Sequence, residues 1–222
     1  MVVYRTSLLG NPNVGIYALT TNGYSIVPSA ISEETARKLR ECLKSQIIRT
    51  AICGTRLIGV FGAANSNGIV LPHFASDEEV RAIKSALPVN VKRIESKITA
   101  FGNLVLANDK GGIVSNLLLS EQGLIKKIEE ILDIELVSGE IAGLPCVGSA
   151  AVATNKGILA HPLLRDEERR LLEEVLKVPV DVGTINGGCP FVKSGTLAND
   201  QGVVIGSLTT GVEALIISNV LE

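Results

Sequence analysis

The chain has 222 residues, with 21 Lys and Arg against 23 Asp and Glu, for a net charge of −2. That balance, with only 3% aromatic residues, excludes a protein that holds nucleic acid mainly by phosphate neutralisation and base stacking. A hydrophobic content of 46% excludes a disordered chain and is enough for a sizeable core.

Residues 1–9 lack the cationic start and long apolar run of a secretory signal. The longest apolar run, 141–153, is broken by Gly143, Pro145 and Gly148 and is shorter than the roughly 20 residues of a membrane helix. A cytoplasmic protein is expected.

One phrase occurs five times along the chain. It reads Thr21-Asn22-Gly23, then Ala64-Asn65-Ser66-Asn67-Gly68, then Ala107-Asn108-Asp109-Lys110-Gly111. It returns as Thr154-Asn155-Lys156-Gly157 and as Ala198-Asn199-Asp200-Gln201-Gly202. The glycines at 23, 68, 111, 157 and 202 are spaced by 45, 43, 46 and 45 residues, a repeat architecture. Asn and Gly accept positive φ, so each phrase predicts a hairpin turn between two strands.

Residues 1–20 carry strand signals with no helix before them. After the first turn, Ser32-Glu33-Glu34 opens a helix with the stripe Ala36, Leu39, Leu43. In the second unit Ser76-Asp77-Glu78-Glu79 is a capping box before Val80, Ile83 and Leu87. Ser120-Glu121-Gln122 is expected to open the third helix, with Leu124, Ile128 and Ile131 as its stripe, and Leu171, Leu172 and Val175 mark the fourth. Leu87-Pro88-Val89 and Val178-Pro179-Val180 end helices and begin strands. Glu213 to Leu221 is a last helical stretch with no strand after it.

One unit is therefore strand, turn, strand, helix, strand in about 45 residues, too small to bury its own apolar face. The fifth unit lacks its last strand and the N-terminus has one to spare. A closed ring follows, with units at 12–53, 54–98, 99–144, 145–188 and 189–222 completed by 1–11, all in one domain, 1–222. The segments Gly59–Ala64 and Gly148–Ala153 are expected to be inner strands whose small residues let them converge.

The four cysteines, at 42, 53, 146 and 189, fit no zinc spacing and are expected to be buried hydrophobes. A thiol nucleophile at Cys189 needs a histidine, and only His73 and His161 exist, at corresponding places in different units. No phosphate-binding glycine loop occurs. Asp109, Asp200 and the turn asparagines form a candidate polar ring on one rim, a surface suited to a macromolecular partner.

The segments Gly54-Thr55-Arg56-Leu57-Ile58-Gly59, Ala100-Phe101-Gly102-Asn103-Leu104, Val147-Gly148-Ser149, His161-Pro162 and Gly195-Thr196-Leu197-Ala198-Asn199-Asp200 resemble the translation initiation factor 6 family in its archaeal form, over the whole chain. The resemblance implies a pentein fold, a closed five-bladed α/β propeller. It also implies a non-enzymatic anti-association factor for the large ribosomal subunit, active in late subunit maturation. The implied partners are a uL14-type ribosomal protein, the nearby sarcin–ricin loop and release factors of the ribosome-maturation type. A monomer without cofactor or metal is expected.

Asn103 matches a family position implicated in ribosome attachment, and Arg56 lies in a matching motif on a neighbouring loop. Asn65, Asn108, Asn155 and Asn199 match turn positions. The alternative is a guanidino-group-modifying pentein, an amidinotransferase or deiminase with Cys189 as nucleophile. Cysteine alkylation is expected to inactivate such an enzyme and to leave a binder's affinity intact.

Overall fold

The structure, a computed structural model, describes residues 2–222. Strand β1 (Val2–Thr6) comes first. The first unit holds a short helical turn α1 (Val14–Tyr17), the hairpin β2 (Leu19–Thr20) and β3 (Tyr24–Pro28), helix α2 (Glu33–Leu43) and β4 (Gln46–Thr50). The second repeats this order as α3 (Ile58–Phe61), β5 (Ala63–Ala64), β6 (Gly68–Pro72), α4 (Asp77–Ala86) and β7 (Asn90–Ile94). The third has α5 (Phe101–Leu104), β8 (Val105–Ala107), β9 (Gly112–Ser115), a 3₁₀ turn (Asn116–Ser120), α6 (Leu124–Leu132) and β10 (Leu136–Gly139). The fourth has α7 (Val147–Ala150), β11 (Ala151–Ala153), β12 (Ile158–Ala160), α8 (Asp166–Leu176) and β13 (Val180–Val182). The fifth has a 3₁₀ turn (Val192–Gly195), β14 (Thr196–Ala198), β15 (Gly202–Gly206) and α9 (Gly211–Leu221).

Each unit makes one three-stranded sheet: an antiparallel hairpin, then a parallel strand reached through the long helix. In the fifth unit that parallel strand is β1, paired Val2 to Gly202 through Thr6 to Gly206. The result is a mixed α/β, pseudo-fivefold arrangement. The first strands of the hairpins contact one another in a cycle, β2 with β5, β5 with β8, β8 with β11, β11 with β14 and β14 with β2. The short turns between Val14 and Gly195 follow the same cycle.

Five apolar clusters each span two units. Helix α2, for example, buries Ala36, Leu39 and Leu43 with Leu197 and Val204 of the fifth unit. Each unit thus buries its helix stripe on its neighbour's sheet, as the 45-residue period requires.

Three expectations need correction. The segments Gly59–Ala64 and Gly148–Ala153 are not strand throughout: their first halves belong to the helical turns α3 and α7. Ser120 does not open the third helix, because α6 begins at Leu124 behind Gly123 in the left-handed region, and Glu121 instead accepts from Ser96 Oγ and the Lys97 amide. The repeat glycines are not positive-φ residues either. Positive φ occurs in the tight turns before the short helices, at Leu9-Gly10, Cys53-Gly54, Ala142-Gly143 and Asn186-Gly187. Gly68, Gly111, Gly157 and Gly202 are needed for another reason: a Cβ there would collide with the carbonyl of Ile131, Val175, Val220 or Cys42 in the adjacent unit's helix.

The expected capping box at Ser76 and Glu79 is present. Its carboxylate also accepts from the Cys53 and Gly54 amides, at 3.0 and 2.8 Å. Glu168 does the same for Ala142 and Gly143, and Glu213 for Gly187 and Gly188. Each buried carboxylate so joins a helix start to the strained turn beside it.

Candidate docking surface

The inner strands run from the short helical turns at one end of the axis to the hairpin turns at the other. The predicted site residues divide between these two ends. Asn65, Asn108, Asn155 and Asn199 lie at the hairpin end, and Arg56 and Asn103 at the short-helix end.

At the hairpin end, the hydrogen bond from each turn's first residue to its fourth sets the alignment: Thr21, Asn65, Asn108, Thr154 and Asn199 are equivalent. Asn65, Asn108 and Asn199 are buried, and each uses its whole amide internally. Asn65 Nδ2 donates to the carbonyls of Asn108 and Leu132, while its Oδ1 accepts from the Asn67 and Gly68 amides. Asn108 repeats this toward Thr154 and Leu176, and Asn199 toward Thr21 and Leu43. These three are latches between units, with no capacity left for a partner.

Asn155 belongs to the second turn position, with Asn22, Ser66, Asp109 and Asp200. These five meet over the axis. Asn155 Nδ2 donates to Asp109 Oδ2 at 2.7 Å and to Asp200 Oδ2 at 3.2 Å, and Asn22 Nδ2 bridges the same two carboxylates. Ser66 Oγ donates to Asp109 at 2.8 Å. The expected polar ring exists as a plate bonded to itself.

The short-helix end is different. A cavity of about 370 Å³ opens there, walled by Ile16, Val60, Phe191, Cys146, Cys189 and Asn103 among others. Asn103 is half-buried, and its side-chain amide bonds to no described residue. Arg56 is exposed with no ion pair among the described residues. Exposed apolar residues follow the central strands of four units, at Phe74, Leu117, Leu163 and Leu208, joined by Leu57 and Phe191 from the turn loops. Their exposure left no trace in the sequence, where Leu117, Leu163, Leu57 and Phe191 stand beside apolar residues that are less exposed.

The cysteines also divide. Burial raises the Cys42 thiol pKa, and burial followed by the Glu79 carboxylate pushes Cys53 up to about 12, as for inert core thiols. Cys146 and Cys189 instead wall the cavity beside Asn103. His161 Nδ1 accepts the Leu163 amide, its ring packs against Phe191, and burial lowers its pKa. No hydrogen bond joins Cys189 to either histidine among the described residues; its polar neighbour is Ser194 Oγ at 3.8 Å. The amidinotransferase or deiminase reading therefore has no support. Alkylation ceases to be a neutral test of a binder, because two of the thiols lie on the candidate surface.

Five copies of one strand–turn–strand–helix–strand unit, with a self-bonded plate at one end and unsatisfied polar and apolar groups at the other, define a pseudo-fivefold α/β protein with one surface open to a partner. The chain belongs to the eIF-6 family, whose model matches residues 3–220. It is 39% identical over 97% of its length to a translation initiation factor 6 from Staphylothermus marinus, covering 95% of that protein. It is 40% identical to those of Thermococcus onnurineus and Methanocaldococcus jannaschii, over 100% and 99% of this chain and 98% of each relative. Among the described residues no helix is long and apolar enough to cross a membrane.

Proposed function

We propose that this chain is a translation initiation factor that binds the large ribosomal subunit and sterically keeps the small subunit from joining it, with a second part in late large-subunit assembly. The observation that carries this reading is the full-length match to the eIF-6 family. The fold it goes with is a pentein, a closed five-bladed propeller completed by β1. The protein acts in the cytoplasm as a monomer, without cofactor and without catalysing a reaction.

The short-helix end is the contact face in this reading. It offers a free amide at Asn103, a free guanidinium at Arg56 and a scatter of exposed apolar side chains, the mixture that protein interfaces use. A uL14-type ribosomal protein near the sarcin–ricin loop is the proposed seat. A net charge of −2 suits a protein seat better than bare phosphates. Release by ribosome-maturation factors then frees the surface for the small subunit. Asn65, Asn108 and Asn199 contribute by holding the units together; Asn155 contributes through the plate.

Cosedimentation of the purified chain with isolated large and small subunits tests the binding. The chain is expected in the large-subunit fraction alone. Recovery with neither subunit, or equally with both, would overturn the proposal.

A further inference from the structure

Four of the five short turns place glycine at the axis: Gly15, Gly59, Gly102 and Gly148. A Cβ on any of these would collide with a backbone carbonyl of the preceding turn, Lys193 for Gly15, Gly15 for Gly59, Gly59 for Gly102 and Gly102 for Gly148. The turns are therefore packed backbone to backbone, with carbonyl oxygens gathered around the axis. The fifth turn breaks the rule by placing Lys193 where the others have glycine, and it alone is 3₁₀ rather than α-helical.

The Lys193 side chain crosses the axis. Its Nζ donates to the Gly59 carbonyl at 2.9 Å and the Gly102 carbonyl at 2.6 Å, bridging the turns of the second and third units. The stem is in reach of both the bore between the inner strands and the cavity beyond the turns, so the residue counts as half-buried while its ammonium is enclosed. Among the described residues no carboxylate lines this stretch of the bore or that cavity, where Cys146 and Cys189 are the other titratable groups; Asp109 lines the far, hairpin end. Burial lowers the amine to about 8, which leaves it mainly protonated at neutral pH. An enclosed ammonium without a counter-ion is costly unless its hydrogens meet acceptors. Backbone carbonyls grouped about an axis are the ligands that elsewhere replace the hydration shell of a monovalent cation.

We propose that the axial carbonyl ring is a monovalent-cation site whose native occupant is the chain's own Lys193 ammonium, so that the protein closes its bore without a bound ion. The tethered charge holds the second and third turns to the fifth across the axis and separates the bore from the cavity on the contact face. Replacing Lys193 by alanine vacates the site for a free ammonium or potassium ion.

Scanning calorimetry at constant ionic strength tests this on the full chain. The Tm of Lys193→Ala is expected to be about 3 °C or more higher in ammonium or potassium chloride than in N-methylglucamine chloride, while the unsubstituted protein is unmoved. No cation-specific rise, or an equal rise in both proteins, overturns the proposal. A second measurement needs no substitution. Reductive methylation of the folded protein, followed by peptide mass spectrometry, is expected to modify the exposed Lys92 and Lys97 at least tenfold faster than Lys193; equal rates overturn it.

Discussion

Asn199 Nδ2 donates to the Leu43 carbonyl at 2.8 Å, binding the last hairpin to the first long helix across 156 positions of sequence. Its second amide hydrogen reaches Thr21 O at 2.9 Å, and its Oδ1 holds its own turn through the Gln201 and Gly202 amides. One side chain thus shapes a turn and fastens two units. Asn199→Ala leaves buried carbonyls and amides without partners. We expect a loss of about 3 kcal/mol, read as a lower denaturation midpoint at unchanged m-value.

The repeat glycines divide by what faces them. Gly68→Ala drives a methyl into the Ile131 carbonyl, which is backbone and cannot swing aside. A cost of at least about 3 kcal/mol is expected. Gly23→Ala meets nothing within 4 Å, and its φ is not positive. It is expected to stay within about 0.5 kcal/mol of the parent in the same urea titration. Equal effects at the two sites would contradict the close-approach account.

Sequence reading aligned the five turns on their asparagines, and that alignment slips in two of them. Thr21 and Thr154 hold the position that Asn65, Asn108 and Asn199 hold, while the conspicuous Asn22 and Asn155 stand one place later. The period was legible because a Gly is needed wherever a neighbour's helix carbonyl arrives. In the first unit Tyr24 takes that place, and its Oη donates to the Asn65 carbonyl at 2.8 Å, a bond made elsewhere by the asparagine latch. Hydrogen-bond roles of this kind leave no letter-level trace. Lys193 was illegible for the same reason, since Val-Lys-Ser-Gly does not look like Val-Gly-Ile-Tyr. Arg56 and Asn103 were identified through motifs, and the structure places them on a face separate from the turn asparagines.

Two groups give the stability a rise with pH, in separate windows. Burial raises the Glu213 pKa, but hydrogen bonds from the Thr210 amide, the Thr184 hydroxyl and the Gly187 and Gly188 amides outweigh it and hold the group at about 2. Its contribution is present above the unfolded-state value near 4.5 and is lost as pH falls from there toward 2. Glu213→Gln should flatten this part of a Tm-against-pH curve. Lys193 adds a rise of the same sign at higher pH. With a folded value of about 8 and an ordinary value of 10.5, its unfolded form binds more protons between the two, so stability from this group rises across that window. Lys193→Ala should remove the rise.

The chain terminus carries a prediction of its own. Deleting residues 1–9 removes β1 and uncovers the edge of β15 from Gly202 to Gly206. The truncated chain is expected to lose cooperative thermal unfolding. A melting curve matching that of the full chain would show that the fifth sheet does not depend on its N-terminal strand.

The central claim is that one face of a passive protein blocks subunit joining. Sucrose-gradient profiles of mixed large and small subunits, run with the unaltered chain and with Asn103→Asp, test it most directly. The unaltered chain should empty the joined-ribosome peak and travel with the large subunit. Asn103→Asp, with a Tm within about 1 °C of the parent because its side chain supports no internal bond, should leave more of that peak in place at the same concentration. An undiminished joined peak with the unaltered chain in excess would contradict the account.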